Sequence, residues 1–263
     1  KRYLFNWQDV DAKSDVNRFI LVRDTIPDEL LMKKLELYRG NGRNDYPVRP
    51  MWNALLAGIV YQHVSIESLR RELLRNGELR QVCGFDPFLG SDAVPSASAF
   101  THFLKNIFKL SREIDKIFDD LVETLGKELP DLGKRLAMDG KAILSAGKPN
   151  KNKSSDGRRD IDADWGKHEY KGNRPNGTLW TKVKSWFGYT LHLLVDATHE
   201  IPLNFSVTRA SSSELKQLVP LLEDHIQRHP QVGSRREEFI GDRGFDDTRI
   251  LQELYDRFQV KPV

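Results

Sequence analysis

Asp139 and Asp242 each end a short apolar run and sit beside a glycine, in Ala137-Met138-Asp139-Gly140-Lys141 and Ile240-Gly241-Asp242-Arg243-Gly244-Phe245. Carboxylate oxygens are hard donors, and Mg²⁺ takes one or two of them while keeping waters and substrate phosphates in its shell. Two such ions about 4 Å apart activate an attacking oxygen and stabilise a leaving one, so phosphodiester chemistry needs no histidine base. Taken singly, Asp139 reads as a turn aspartate and Asp242 as a loop acid paired with Arg243. Delivered together by separate strands, they read as metal ligands. Gly140 and Gly241 would let a nucleic-acid backbone come close.

Other acids compete less well. Asp196 ends the run Leu191–Val195, but Ala197-Thr198-His199-Glu200 reads as a hairpin turn, where aspartate is commonplace. Asp246 and Asp247 read as helix caps. Asp160, Asp162 and Asp164 lack the glycine and distal glutamate of a calcium loop and read as solvated acids. The seven histidines show no metal-ligand spacing. No phosphate-cradling glycine loop, nucleophile elbow or dinucleotide fingerprint is present, which sets aside ATPases, serine hydrolases and dehydrogenases.

The stretch between Lys141 and Lys184 holds eleven Lys/Arg and five Asp/Glu, in a chain whose net charge is only +3. A basic segment beside paired acids suggests a polyanionic partner. Trp165, Tyr170, Trp180, Trp186 and Phe187 interleave there with Lys167, Lys171, Arg174, Lys182 and Lys184. Aromatic and basic residues together suit stacking on bases and gripping phosphates. With Lys141, Arg158 and Arg159, the residues Trp165, Lys167, Lys171, Arg174, Trp180, Lys182 and Lys184 form the candidate DNA-binding set. A small satellite core is the competing reading, strongest for Trp186 and Phe187. Arg70, Arg71, Arg75 and Arg80 allow a helix-turn-helix, although solvated faces of amphipathic helices account for them as well.

These residues need elements to hold them. Residues 1–45 are weakly patterned, with a short strand expected at Phe19–Val22 and a helix from Asp28-Glu29 to Gly40. Met51–His63 reads as an apolar helix, and Ser65 as the cap of a second. A long helix is expected from Ser96 or Ser98 to Leu125, its apolar face running from Phe100 to Leu125 at 3.6-residue spacing. Residues 46–130 are thus a helical domain. Beyond Pro130 the order is a strand over 136–144, a polar, basic insertion over 145–185, strands over 187–196 and 201–208, a helix after the capping box Ser211–Glu214, a strand over 237–241, a helix from Asp246 or Asp247, and a strand from Gln259. This α/β pattern with a mixed sheet fits a ribonuclease-H-like fold, whose first and fourth strands lie side by side and would bring Asp139 and Asp242 together.

Length and composition agree with a soluble globular chain: 263 residues, 39% hydrophobic and 30% charged. The single cysteine, Cys83, excludes an internal disulfide and a cysteine zinc site, and a reducing cytosol is expected. No apolar run approaches the roughly 18 residues a membrane helix needs.

Several blocks resemble DDE transposases of bacterial insertion sequences. Tyr46-Pro-Val-Arg-Pro50 and Val94-Pro-Ser-Ala-Ser-Ala-Phe100 are similar to that group's helical N-terminal domain. Asp156–Gly166, Gly177–Trp180 and Lys184–His192 resemble the segment after its first catalytic acid, and Gly241–Asp247 the segment of its second. The resemblance implies a nucleoid-associated, cytoplasmic enzyme that cuts transposon ends and joins them to target DNA with Mg²⁺, or Mn²⁺ in its place. It implies Asp139 and Asp242 as the first two acids of a triad and a homodimer that pairs two ends. The third acid, a glutamate in a tyrosine–arginine–glutamate context, has no match, and is expected beyond residue 263. A nuclease of the same fold and a non-catalytic DNA-binding remnant are the alternatives.

Overall fold

The computed structural model describes residues 15–40, 46–147, 160–175 and 177–263. The chain forms two compact units, Lys1–Leu121 and Val122–Val263.

The first unit is helical. Its described elements are α1 (Asp15–Thr25), α2 (Glu29–Arg39), α3 (Val48–Val60), α4 (Ile66–Arg75), α5 (Gly77–Cys83), a 3-10 segment (Pro87–Ala93), α6 (Ala97–Phe108) and the start of α7 (Ser111–Glu128). Side chains close the orphan N–H groups at several helix starts. Ser65 and Ser68 form a reciprocal capping box on α4, Asn76 accepts from Leu79 N–H at 3.0 Å, and Ser96 accepts from Ala99 N–H at 3.1 Å. Asp28 at the head of α2 does other work. Buried, it accepts from Arg49 Nη1 and, at 2.6 Å, from Trp52 Nε1, joining α2 to α3.

Two expectations are corrected here. Phe19–Val22 lies inside α1 rather than in a strand, because a four-residue apolar run carries no period that separates the two. The helix expected to reach Leu125 unbroken is divided: Lys109 and Leu110 donate to Asn106 and Ile107 in a tighter turn, and Leu110 is buried. Cys83 is buried as well, and burial pushes its thiol up to about 12, leaving it protonated and inert.

The second unit is a mixed, curled sheet with helices. Its elements are β1 (Arg135–Leu144), β2 (Asp164–Asn173), β3 (Leu179–Asp196), β4 (Ile201–Arg209), α8 (Leu215–Arg228), α9 (Pro230–Gly233), β5 (Glu238–Ile240), a 3-10 turn (Arg243–Phe245), α10 (Thr248–Asp256) and β6 (Lys261–Pro262). The inner half of β3 lies antiparallel between β1 and β4, and its outer half pairs only with β2. On the other side of β1, β5 runs parallel, followed by parallel β6. The core gathers Leu136, Met138, Leu194, Leu203, Leu218, Leu222, Phe239 and Leu254. Asp196 is buried and structural: Oδ2 accepts from Gly133 N–H at 2.8 Å, and Oδ1 from Thr198 and His199 N–H at 3.0 and 2.8 Å.

The strand expected at Phe187 begins at Leu179, and part of the basic insertion is β2. The capping box at Ser211–Glu214 does not form. Ser211 donates to Asp164 at 2.6 Å, and Glu214 makes no side-chain cap. Asp160 and Asp162 likewise hold Ser145 Oγ and Tyr189 OH, so these three acids tie hydroxyls rather than standing solvated.

Two outcomes test this packing. Asp28→Ala leaves the Trp52 N–H without its acceptor and should lower stability by about 2–3 kcal/mol in urea unfolding, more than Asp28→Asn. His225 is fully buried on α8, and burial pushes its imidazole down to about 4, with the His229 ring 5.4 Å away adding to the shift. The unfolded chain takes up this proton below about pH 6.5, while the folded protein refuses it. Stability should therefore fall between pH 6.5 and about 4, by on the order of 3 kcal/mol from this group. Urea midpoints across that range should show the slope, and His225→Leu should flatten it.

Candidate metal and nucleic-acid site

The β1–β5 ladder pairs Leu136 with Phe239 and Ala137 with Ile240. Both pairs differ by 103 positions, the separation of Asp139 from Asp242. Continued two residues past the last pair, this register brings the acids level, Asp139 within β1 and Asp242 just beyond the end of β5, on neighbouring strands that run about 4.8 Å apart. Both are exposed. Asp139 Oδ1 accepts from Gly140 N–H and Asp242 Oδ1 from Gly244 N–H, each at 2.8 Å, so the local backbone fixes one oxygen of each carboxylate. Asp247 caps α10 by accepting from Arg249 and Ile250 N–H at 2.9 and 3.2 Å. Asp242 and Asp246 border a cavity of about 320 Å³ with Phe239, Gly241, Phe245, Leu251, Pro262 and Val263.

Glu214 is the residue that sequence reasoning missed. It precedes α8, and its carboxyl lies against Gly140, where a Cβ would collide with Oε1. Burial raises its proton affinity first, and the negative charges of Asp139 and Asp242 raise it further. The three carboxyls thus share one field, with His168 of β2 opposing it. The signal was Gly140 itself, since a glycine inside a strand marks a close approach. The partner is this carboxyl rather than a nucleic-acid backbone, and at Gly241 the space is filled by Phe239 and Phe245.

The donor set is hard oxygen from two aspartates, which fits a divalent cation that retains water ligands. Among the described residues, no three His, Cys, Asp or Glu side chains converge closely enough to hold an ion.

The strand register divides the candidate DNA-binding residues. Directly opposed residues of antiparallel strands project to one face. On the face of Asp139 stand Lys141, Trp165, Lys167 and Lys171, with Trp165 packed edge-on to Phe187 at 5.6 Å. Lys167 and Lys171 both pair with Glu169 on that face. On the opposite face stand Trp180, Lys182 and Lys184. Arg174 lies in the turn between β2 and β3, where its N–H donates to Thr178 at 2.9 Å. Arg158 and Arg159 lie outside the described residues.

In the helical unit, Arg70, Arg75 and Arg80 are spent on Pro95 O and Glu67, on Glu72, and on the carbonyls of Leu73 and Leu74. They hold that unit together. Its cavity of about 570 Å³ is lined mainly by apolar residues of α3, α4 and α6 and gathers no acids beyond Asp115.

Two family models of transposases match the chain. "Transposase domain (DUF772)" matches residues 8–106, and "Transposase DDE domain" matches residues 133–263. The chain belongs to the DDE-type transposases of insertion sequences. No curated protein and no solved structure matches it. Among the described residues, no helix is long and apolar enough to cross a membrane.

Gly140→Ala tests the packing at this site. The new methyl group meets only the end of a flexible side chain, so Glu214 should swing outward at a cost below about 1 kcal/mol. Its pKa should then fall toward the ordinary carboxyl range in a ¹³C NMR titration. An unmoved titration would mean that Gly140 is not its seat.

Proposed function

We propose that the protein cuts transposon ends and joins them to target DNA by metal-dependent phosphoryl transfer, with Asp139 and Asp242 holding Mg²⁺, or Mn²⁺ in its place. The observation that carries this reading is the β1–β5 register, which, continued by two residues, brings the two acids level. In the body of the sheet the order β4-β3-β1-β5-β6, antiparallel on one side of β1 and parallel on the other, supports a ribonuclease-H-like catalytic domain over residues 131–263. Residues 46–130 would then bind the transposon end, and residues 1–45 extend that domain. A homodimer would hold two ends together.

A bound divalent ion supplies Lewis-acid polarisation of a phosphoryl oxygen and charge neutralisation at the leaving oxygen. The chain's own contribution is placement. Gly140 N–H and Gly244 N–H hold one oxygen of each aspartate, so the carboxylates meet a phosphodiester without first being ordered. Lys141, two residues past Asp139 on the same face, gives a cation for the flanking phosphates. Water attacks the scissile phosphorus, and the transposon 3′-oxygen leaves and takes up a proton. The resulting 3′-hydroxyl attacks a target phosphorus, and the target's own 3′-oxygen leaves.

Asp139→Asn and Asp242→Asn should each reduce Mg²⁺-dependent nicking of end-bearing DNA by about a hundredfold or more, because each removes charge at the site where the transition state needs it. Gel-shift affinity for the same DNA should stay within about threefold, since neither acid grips the backbone. Nicking that survives in either variant would remove the assignment.

A further inference from the structure

Beyond the sheet body, β2 and the outer half of β3 stand as a two-stranded ribbon whose two faces differ in kind. The face turned away from Asp139 carries four cross-strand pairs: Gly166 with Trp186, His168 with Lys184, Tyr170 with Lys182, and Gly172 with Trp180. Both tryptophans lie across the glycine opposite, and a Cβ at Gly172 would come within 2.7 Å of the Trp180 ring. Trp186, at the inner end, is half-buried and donates Nε1–H to Tyr189 O at 3.0 Å, which makes it an anchor. Trp180 and Tyr170, farther out, remain 37% and 41% exposed. Lys184 lies 5.3 Å from the centre of the Tyr170 ring, and His168 packs against that ring at 4.5 Å. Asp164, opposite Gly188 at the inner end of this face, holds Ser211 Oγ, and from Gly166 outward no acid stands on it.

A ring laid over a glycine cannot fold away, so its outer π-face stays presented to solvent. Exposed aromatic surface of this kind marks an interaction site. Two unopposed lysines beside the rings complement a phosphate chain. His168 on this face acts electrostatically on Glu214, the carboxyl seated on Gly140. We propose that this face binds single-stranded DNA, with Trp180 and Tyr170 stacking on unpaired bases and Lys182 and Lys184 neutralising the adjoining phosphates. The inference rests on the DNA-processing reading above and adds the form of DNA that the ribbon recognises.

The test is fluorescence anisotropy with a labelled oligo-dT 20-mer and a 20-base-pair duplex, in parallel with nicking assays. Trp180→Ala should weaken oligo-dT binding by about tenfold or more, and Trp180→Phe should restore most of it, because stacking tolerates any flat ring. Lys182→Ala with Lys184→Ala should lower the slope of log affinity against log salt by about 1.4, at roughly 0.7 per phosphate contact on a single strand. The lysines are exposed, so this double variant keeps its fold and reads the face independently of any packing role of Trp180. Unchanged oligo-dT binding in the tryptophan and lysine variants would overturn the inference. So would equal losses on duplex and single strand, which would place the ribbon on paired DNA, or a change only in oligomeric state, which would make the face a protein contact. Any of these results with Asp139-dependent nicking intact removes the ribbon assignment alone. Wild-type protein that binds oligo-dT through these residues but nicks no DNA removes the reading of the acids instead.

Discussion

The three-residue parallel ladder between β1 and β5 is the constraint on which the site depends. Two carboxylates brought side by side repel each other, so nothing about the acids themselves favours their meeting. Their register has to be imposed from below. Arg135–Glu238 and Lys134–Glu237, both at 3.1 Å, bridge the two strands, but exposed ion pairs of this kind contribute little. The larger share comes from Leu136 and Phe239, adjacent across the ladder and almost wholly buried. A slip of β5 by one residue would turn Phe239 out of the core and move Asp242 to the face opposite Asp139, so hydrophobic burial enforces the electrostatically unfavourable pairing.

The long partner of β1 organises the rest. The inner half of β3 is built as a core strand, with Thr190, His192, Leu194 and Asp196 buried at alternate positions. Its outer half keeps the alternation but loses the core: rings and lysines replace the buried residues, with glycines of β2 opposite the rings. One strand therefore fixes β1 at one end and projects an aromatic, basic ribbon at the other. Glu214 links the two regions: it lies on Gly140 and shares a field with Asp139, Asp242 and His168.

Much of this was legible in the sequence, for identifiable reasons. The acids were visible because each ends an apolar run beside a glycine, β1 because its apolar run is broken only around Gly140, and β4, α8 and α10 because their apolar periods are unbroken. Phe19–Val22 was misread because four apolar residues fit a helix and a strand equally well. The break at Lys109-Leu110 was hidden because Leu110 continues the apolar stripe while leaving the helix. β2 escaped because both its faces lack a core, so Trp165–Asn173 shows none of the alternation that marks a half-buried strand. Glu214 was invisible for a different reason: in Ser211-Ser-Ser-Glu214 a local capping pattern and a long-range contact compete for one carboxyl. Only the fold reveals that Gly140 offers the better seat.

The central claim is that Asp139 and Asp242 form one divalent-cation site. Fe²⁺ can occupy an oxygen-ligand site of this kind and, with ascorbate and peroxide, releases hydroxyl radicals that cut the chain where the metal sits. Cleavage beside both Asp139 and Asp242, suppressed together by excess Mg²⁺ and abolished at both places by Asp139→Asn, is the expected result. Cuts beside only one of them, or cuts that Asp139→Asn leaves unchanged, would contradict it.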